Sequence, residues 1–181
     1  MGRRGSIRAN VLRLEDVGAG GFPSTDPAFH EHMILAEGDS WFSIGGFPPA
    51  NLLYGLRFRR LTMVVSCAKP GDTLQNMSQI ARNRDYRRAL STKFGQPWDL
   101  ILLSGGGNDL IDAANDIVRA RPSRRPRDPG AAEGYLNKPV LAGVLDDICT
   151  GFRELARVRD RTDSPARGRP IVTHTYDYAT P

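Results

Sequence analysis

The chain has 181 residues, of which 40% are hydrophobic and 25% are charged. This length suits one domain with a sizeable core, and no stretch approaches the roughly 20 apolar residues that a membrane-spanning helix needs. The N-terminal residues carry charges where a secretory signal would be apolar, so we expect a cytoplasmic protein. The formal net charge of +5 leaves nucleic acid open as a partner, although this alternative rests on charge alone.

The predicted elements alternate between strands and helices after a segment that has little pattern. Residues 1–30 are rich in glycine and are expected to form an irregular arm before one domain over 31–181. Apolar runs predict strands at 33–37, 61–67, 99–103 and 170–174. Helices are predicted after the Pro48-Pro49 break, after Asp72 as the cap, and over 141–155, where apolar residues recur at helical spacing.

The strands are continuous apolar runs without the alternation of a sheet that is exposed on one face. Such strands are covered on both faces, and helices between them connect parallel neighbours. The sequence therefore predicts a doubly wound α/β layer sandwich with a mainly parallel sheet. In these folds, the loops after the carboxyl ends of the strands form the binding site.

Polar loops follow the first three predicted strands, and a histidine ends the fourth. Gly38-Asp39-Ser40 places a serine hydroxyl at a sharp turn that we expect to lead into a helix. Gly71 and the run Ser104-Gly105-Gly106-Gly107-Asn108-Asp109 come after the next two strands, and His174 ends the last one. Asp39 and Asp109 are expected to hold their loops through turn hydrogen bonds rather than to act as acids.

These loops resemble the blocks of the SGNH hydrolases, the GDSL-type esterases and lipases, at Ser40, Gly71 and Asn108. The fold that the resemblance implies is a flavodoxin-like three-layer sandwich. The family's fourth block, an Asp-x-x-His that supplies the base and its orienting carboxylate, does not occur in the sequence. We therefore expect the given residues to lack the last strand and helix of that fold, together with the base.

The resemblance implies hydrolysis of a carboxylic ester through an acyl-enzyme on Ser40, with neither metal nor cofactor. The backbone N–H groups of Ser40 and Gly71 and the side-chain amide of Asn108 would form the oxyanion hole. These residue types suit the role, because glycine lets the main chain approach a substrate and an Asn amide offers fixed donors. The substrate would be a small-molecule, lipid or sugar ester. Substrate contacts are expected from Asp39, Trp41, Gly106 and His174.

The missing base leaves three alternatives, because a serine hydroxyl is a poor nucleophile unless a neighbour takes its proton. The base lies outside the given residues, or His174 serves with Asp177 as its orienting group, or the domain binds an acyl group or an acetylated sugar without turnover. His30 and His32 have no third ligand near them in sequence, so we expect surface residues and no metal site.

Two further features of the sequence lead to predictions. The cysteines, Cys67 and Cys149, fall in apolar runs, which favours buried free thiols over a disulfide. The segment 119–133 combines proline and arginine with little apolar content. It predicts a mobile, solvated insertion, with a lid or an anion-binding patch as alternatives.

Overall fold

The computed structural model describes residues 5–43, 51–94, 96–118 and 134–174. The strands in these ranges are β1 (Ile7–Arg8), β2 (Asn10–Arg13), β3 (His32–Glu37), β4 (Arg57–Phe58), β5 (Thr62–Ser66), β6 (Leu100–Leu103) and β7 (Ile171–Thr173). The α-helices are α1 (Leu74–Ser78), α2 (Arg84–Ala89), α3 (Gly107–Asp112), α4 (Ala114–Ile117) and α5 (Lys138–Arg159). The insertion predicted over 119–133 lies outside the described residues, as does Asp177.

Five of the strands form one parallel sheet with β3 at its centre, in the order β2-β5-β3-β6-β7. The register places Ile34 of β3 beside Val64 of β5 and Leu100 of β6. β1 and β4 form a separate antiparallel pair. A parallel sheet flanked by helices confirms the predicted α/β class. Because the five strands are parallel, their carboxyl ends meet at one edge of the sheet.

Both faces of the sheet are covered, which explains why its central strands are apolar without alternation. α1, α2 and α5 cover one face, where Leu74 and Leu155 are buried. A 3-10 helix at Leu52–Gly55 and β4 cover the other face through Leu53 and Phe58. The connection from β3 to β5 crosses one face, and the connection from β5 to β6 crosses the opposite one. This reversal places the switch point of the fold between β3 and β6.

The N-terminal segment departs from the irregular arm that we expected. Asn10–Arg13 forms β2, which pairs in parallel with β5 at the edge of the sheet. Residues 14–29 do form 3-10 turns and loops. This strand has no strong sequence pattern, because only Val11 and Leu12 are apolar. Polar residues are tolerated in it because a strand at the edge of a sheet has no neighbour on one side.

The helices on the covered face differ in detail from their sequence patterns. Thr73 caps α1 in place of Asp72, since its Oγ1 accepts the N–H of Asn76 at 3.2 Å. α1 ends at Ser78. The sequence pattern does not predict α2, because this helix is rich in arginine and buries only two of its residues. α5 confirms the long helix predicted over 141–155.

The two cysteines lie in different environments. Cys67 is buried directly after β5, as expected, whereas Cys149 on α5 is exposed, so the prediction of a buried thiol there is wrong. The reason is that α5 buries a narrow stripe: Leu155 is fully buried, while Leu145 keeps 46% of its surface exposed. No helix in the described part of the chain is long and apolar enough to cross a membrane.

The close approach of two loops at the switch point predicts the effect of a methyl group at Gly38. A Cβ at this position would lie 2.6 Å from the carbonyl oxygen and 2.7 Å from the Cβ of Ser104, so the loops after β3 and β6 would have to separate. We expect Gly38→Ala to lower the free energy of unfolding by about 1–3 kcal/mol in urea denaturation. Gly143→Ala on α5 is the control, since its Cβ would meet no atom within 4 Å and alanine favours a helix. Equal stability of the two variants would contradict this packing.

Candidate functional site

Backbone hydrogen bonds join the loops after β3, β5 and β6 at the carboxyl edge of the sheet. The N–H of Lys69 donates to the carbonyl of Gly38 at 2.9 Å, and the N–H of Ser104 donates to the carbonyl of Glu37 at 3.0 Å. The structure thereby brings together the loops that carry the three predicted motifs. They lie at the switch point next to β3, the place where ligands bind in folds of this kind.

Ser40 lies in an exposed turn at this edge. The Oδ1 of Asp39 accepts the N–H of Trp41 at 3.1 Å, and the carbonyl of Asp39 accepts the N–H of Phe42 at 3.1 Å. Within the described ranges, the Ser40 hydroxyl has no hydrogen-bond partner and faces solvent. The helix that we expected after Ser40 does not begin within the described part of this loop, which ends at Ser43. In the described part of the loop, turn hydrogen bonds present the hydroxyl.

A hydrogen-bonded chain of three side chains joins the loops after β3, β6 and β7. The Ser104 hydroxyl donates to Oδ1 of Asp39 at 2.8 Å, and Nε2 of His174 lies 2.8 Å from the same Ser104 oxygen. A carboxylate can only accept, and a hydroxyl has one hydrogen, so Ser104 gives its hydrogen to Asp39. Nε2 of His174 therefore carries a hydrogen and is the donor of the hydrogen bond to Ser104.

Two of the residues expected to contact the substrate lie together at this edge. The ring of His174 packs against Phe42, with the centroids 5.5 Å apart, and its centroid lies 6.1 Å from that of Trp41. Trp41 directly follows Ser40, and its side chain is 47% exposed. The structure thus groups Trp41 and His174 beside the serine.

The other two residues expected to contact the substrate are buried. Asp39 is 1% exposed, and its burial argues against direct substrate contact. It holds the loop through hydrogen bonds, as the sequence predicted for it. Gly106 is also buried, and a Cβ there would lie 3.4 Å from Ile148 of α5, so this glycine faces the helix layer.

Gly71 and Asn108, the other expected oxyanion donors, lie on loops that are bonded to each other. Nδ2 of Asn108 donates to the carbonyl of Asp72 at 2.8 Å, and the Asp109 carboxylate accepts the N–H of Leu74 at 2.9 Å. Asp109 therefore holds the loop after β5, as predicted. Gly71 is exposed, with a φ of +73° that glycine adopts without strain. Its N–H has no partner among the described residues, and Asn108 keeps a second amide hydrogen.

Sequence reasoning gave no role to two buried polar residues of this edge, Glu37 and Ser104. Glu37 ends β3, and its Oε1 accepts the N–H of Gly38 at 2.9 Å. Complete burial raises the pKa of Glu37 to about 8, and the Asn83 side chain and the Gly38 N–H, which favour the charged form, oppose this shift only in part. A signal for both was present, because each is a polar residue that closes an otherwise apolar strand run.

His30 and His32 lie at the amino end of β3, opposite the end that carries Ser40. Nδ1 of His30 lies 3.0 Å from the carbonyl oxygen of Asp26, and Nδ1 of His32 lies 3.5 Å from a carboxylate oxygen of Asp99. Across the described residues, no group of three or more His, Cys, Asp or Glu side chains is arranged to hold a metal ion.

Comparisons with protein-family models, with curated proteins and with solved structures find no match for this chain. The likeness to the SGNH hydrolases therefore consists of three short motifs. The structure adds the arrangement of the loops on which these motifs lie.

The raised pKa of Glu37 predicts how stability depends on pH. Between the ordinary value of 4.5 and about 8, the folded chain holds a proton on Glu37 that the unfolded chain has lost. The free energy of unfolding therefore falls by up to about 1.4 kcal/mol per pH unit as the pH rises through this window. Above the window it no longer changes through Glu37. Glu37→Gln should remove this dependence of the free energy of unfolding on pH. We expect urea denaturation to show the variant gaining stability relative to the native chain from about pH 5 to about pH 8.

The control for this experiment is Glu15→Gln, since Glu15 is exposed and its replacement leaves Glu37 in place. This control should keep the slope of the native chain. A stability difference between the native chain and Glu37→Gln that stays constant with pH would show that the buried carboxyl does not hold the proton.

Proposed function

We propose that this chain hydrolyses carboxylic esters with Ser40 as the nucleophile, in the manner of the SGNH hydrolases that it resembles. The observation that supports this most is the exposed Ser40 hydroxyl at the switch point between β3 and β6. Its loop is bonded to the loop of Gly71, which is bonded in turn to Asn108. A hydroxyl with N–H donors on adjoining loops supplies the nucleophile and the oxyanion donors that acyl transfer requires, and the base is the remaining group.

In the proposed reaction, Oγ of Ser40 forms a bond to the ester carbonyl carbon and gives its proton to a base. The negative charge on the carbonyl oxygen is stabilised by the N–H groups of Ser40 and Gly71 and by the amide of Asn108. The bond to the alcohol then breaks, and the alcohol leaves with the proton from the base. Water attacks the acyl-Ser40 ester in the same way, which releases the carboxylic acid and restores the serine.

We place the base on a histidine outside the given residues, as the resemblance implies. His174 is at the correct edge, but its Nε2 is held by Ser104 at 2.8 Å and donates rather than accepts. That nitrogen cannot take the proton of Ser40 unless the ring releases Ser104 and turns. His174 suits two other roles better: it supports the Asp39 loop, and it contacts a substrate beside Trp41.

A non-catalytic module that binds an acyl group or an acetylated sugar is the second candidate, and one observation favours it. Among the described residues, no side chain forms a hydrogen bond with the Ser40 hydroxyl, so none of them activates it in this arrangement. The exposed Trp41 and the N–H of Gly71, which has no partner among the described residues, could hold an acyl group without turnover. The two candidates differ in whether Ser40 reacts covalently.

Covalent labelling tests the nucleophile. A fluorophosphonate forms a bond from phosphorus to an activated serine oxygen and loses fluoride, and intact mass reads the adduct. Because the base is absent from this chain in our proposal, we expect the adduct to form only slowly on the native chain and on the control Ser91→Ala, and not at all on Ser40→Ala. Added imidazole should accelerate the reaction, because a positioned base contributes about 10²- to 10⁴-fold in rate and the free base replaces part of this.

Two outcomes would overturn parts of the proposal. If His174→Ala abolishes labelling and imidazole leaves the native rate unchanged, then His174 is the base and our placement of the base is wrong. If no Ser40-dependent adduct forms with or without imidazole, the hydrolase is excluded and the binding module remains.

The amide of Asn108 is expected to act on the developing oxyanion. With p-nitrophenyl acetate as the substrate and imidazole present, Asn108→Asp should lower kcat/KM by about 100- to 1000-fold, because a carboxylate replaces a hydrogen-bond donor. Asn115→Asp is the control, since it makes the same change at an exposed position on α4. Urea denaturation of both variants separates a lost donor from a lost fold, because the Asn108 amide also bonds to Asp72. Equal kcat/KM in the two variants would remove Asn108 from the oxyanion hole.

A further inference from the structure

A cavity of about 500 Å³ lies between α2 and the C-terminal end of α5. Its charged lining residues are Arg84, Arg87, Arg88, Lys93, Arg161 and Asp163. We propose that this cavity binds an oligophosphate group, a compact anion of two or more linked phosphates that is either inorganic or part of a small organic molecule.

None of the described residues that line the cavity belongs to the loops that carry Ser40, Gly71 and Asn108. Lys93 is in the connection from α2 to the start of β6, and Arg161 is in the connection from α5 to the start of β7. Both connections lead to the amino ends of parallel strands, whereas Ser40 follows a carboxyl end. The cavity is therefore separate from the proposed esterase site.

The carboxylates near the cavity leave most of its positive charge uncompensated. Asp163 pairs with Arg161, whose Nε and Nη2 donate to the two carboxylate oxygens at 3.1 Å each. Asp85, the acidic residue of α2, pairs with Lys69 at 3.4 Å. Within the described ranges, no ion pair involves the other four cations of the cavity. An anion that enters the cavity therefore meets four side chains without a competing carboxylate.

The three arginines of α2 do not, taken together, stabilise this helix. Arg84, Arg87 and Arg88 are spaced by three and four residues on one helix face, where like charges repel. The helix dipole favours Arg87 and Arg88 in the last turn, but it opposes a cation at Arg84 in the first turn. A bound anion between the three guanidinium groups would relieve this repulsion.

The volume of the cavity and its cations suit an oligophosphate, and its lining does not suit a nucleic acid. Guanidinium groups match phosphate oxygens with two parallel hydrogen bonds, so a cluster of them suits linked phosphates. The volume of the cavity falls within the range of about 300–1,000 Å³ that is typical of small-molecule sites. No aromatic side chain is among the described residues that line it, so a nucleic acid base would find no stacking surface.

Isothermal titration calorimetry with sodium tripolyphosphate at constant ionic strength tests the proposal on the 181-residue chain. We expect saturable binding of one anion per chain. The triple variant Arg84→Gln, Arg87→Gln, Arg88→Gln should raise Kd by about 100-fold or more, and Lys93→Gln alone by about tenfold. The control is Arg8→Gln, Arg57→Gln, Arg59→Gln, which makes the same charge change on the β1–β4 pair over the opposite face of the sheet.

Each outcome decides for or against the cavity. The control variant and Ser40→Ala should bind tripolyphosphate like the native chain, and circular dichroism shows whether each variant is folded. If the triple variant does not fold, Lys93→Gln decides alone. The proposal is overturned if binding does not saturate, or if the control loses as much affinity as the triple variant. It is also overturned if single-stranded RNA binds more tightly than tripolyphosphate and loses affinity equally in both triple variants.

Discussion

The contact between Gly38 and Ser104 organises the edge of the sheet on which the candidate site lies. Because Gly38 has no side chain, the backbone of Ser104 comes close enough for its N–H to reach the carbonyl of Glu37 and for its hydroxyl to reach Asp39. His174 joins the same hydroxyl from the end of β7. Three neighbouring strands therefore end in one hydrogen-bonded unit. The position of Ser40 depends on this unit, since Asp39 directly precedes it in the chain.

The candidate site and the arginine-lined cavity differ in the kind of group that they offer. At the carboxyl edge, uncharged donors lie around an exposed serine, and the buried acid Glu37 holds a proton because burial raises its pKa to about 8. On the face that the helices cover, the arginines of α2 and Lys93 line a cavity whose carboxylate is already paired with Arg161. Neutral donors suit an oxyanion that forms only during the reaction. Fixed cations suit an anionic ligand that remains bound.

Most of the fold follows from local sequence patterns. The apolar runs of β3, β5 and β6 and the helical spacing of α5 are long enough to predict both the elements and their parallel arrangement. β2 and α2 could not be predicted, because Asn10–Arg13 is a short edge strand and α2 has an arginine-rich surface. The exposure of Cys149 could not be predicted either, since an apolar helix pattern does not show how wide a stripe its neighbours will cover.

The sequence by itself determined which residues end the strands, and so it grouped Ser40, Gly71 and Asn108 at one edge, because carboxyl ends of parallel strands lie together. It did not determine how polar side chains at that edge pair. Ser104 bonds to Asp39, 65 positions away, and to His174, 70 positions away, and no local pattern encodes either contact. The tertiary structure decided both, because they depend on a strand order that places β3, β6 and β7 side by side and on loops close enough to leave no room for a Cβ.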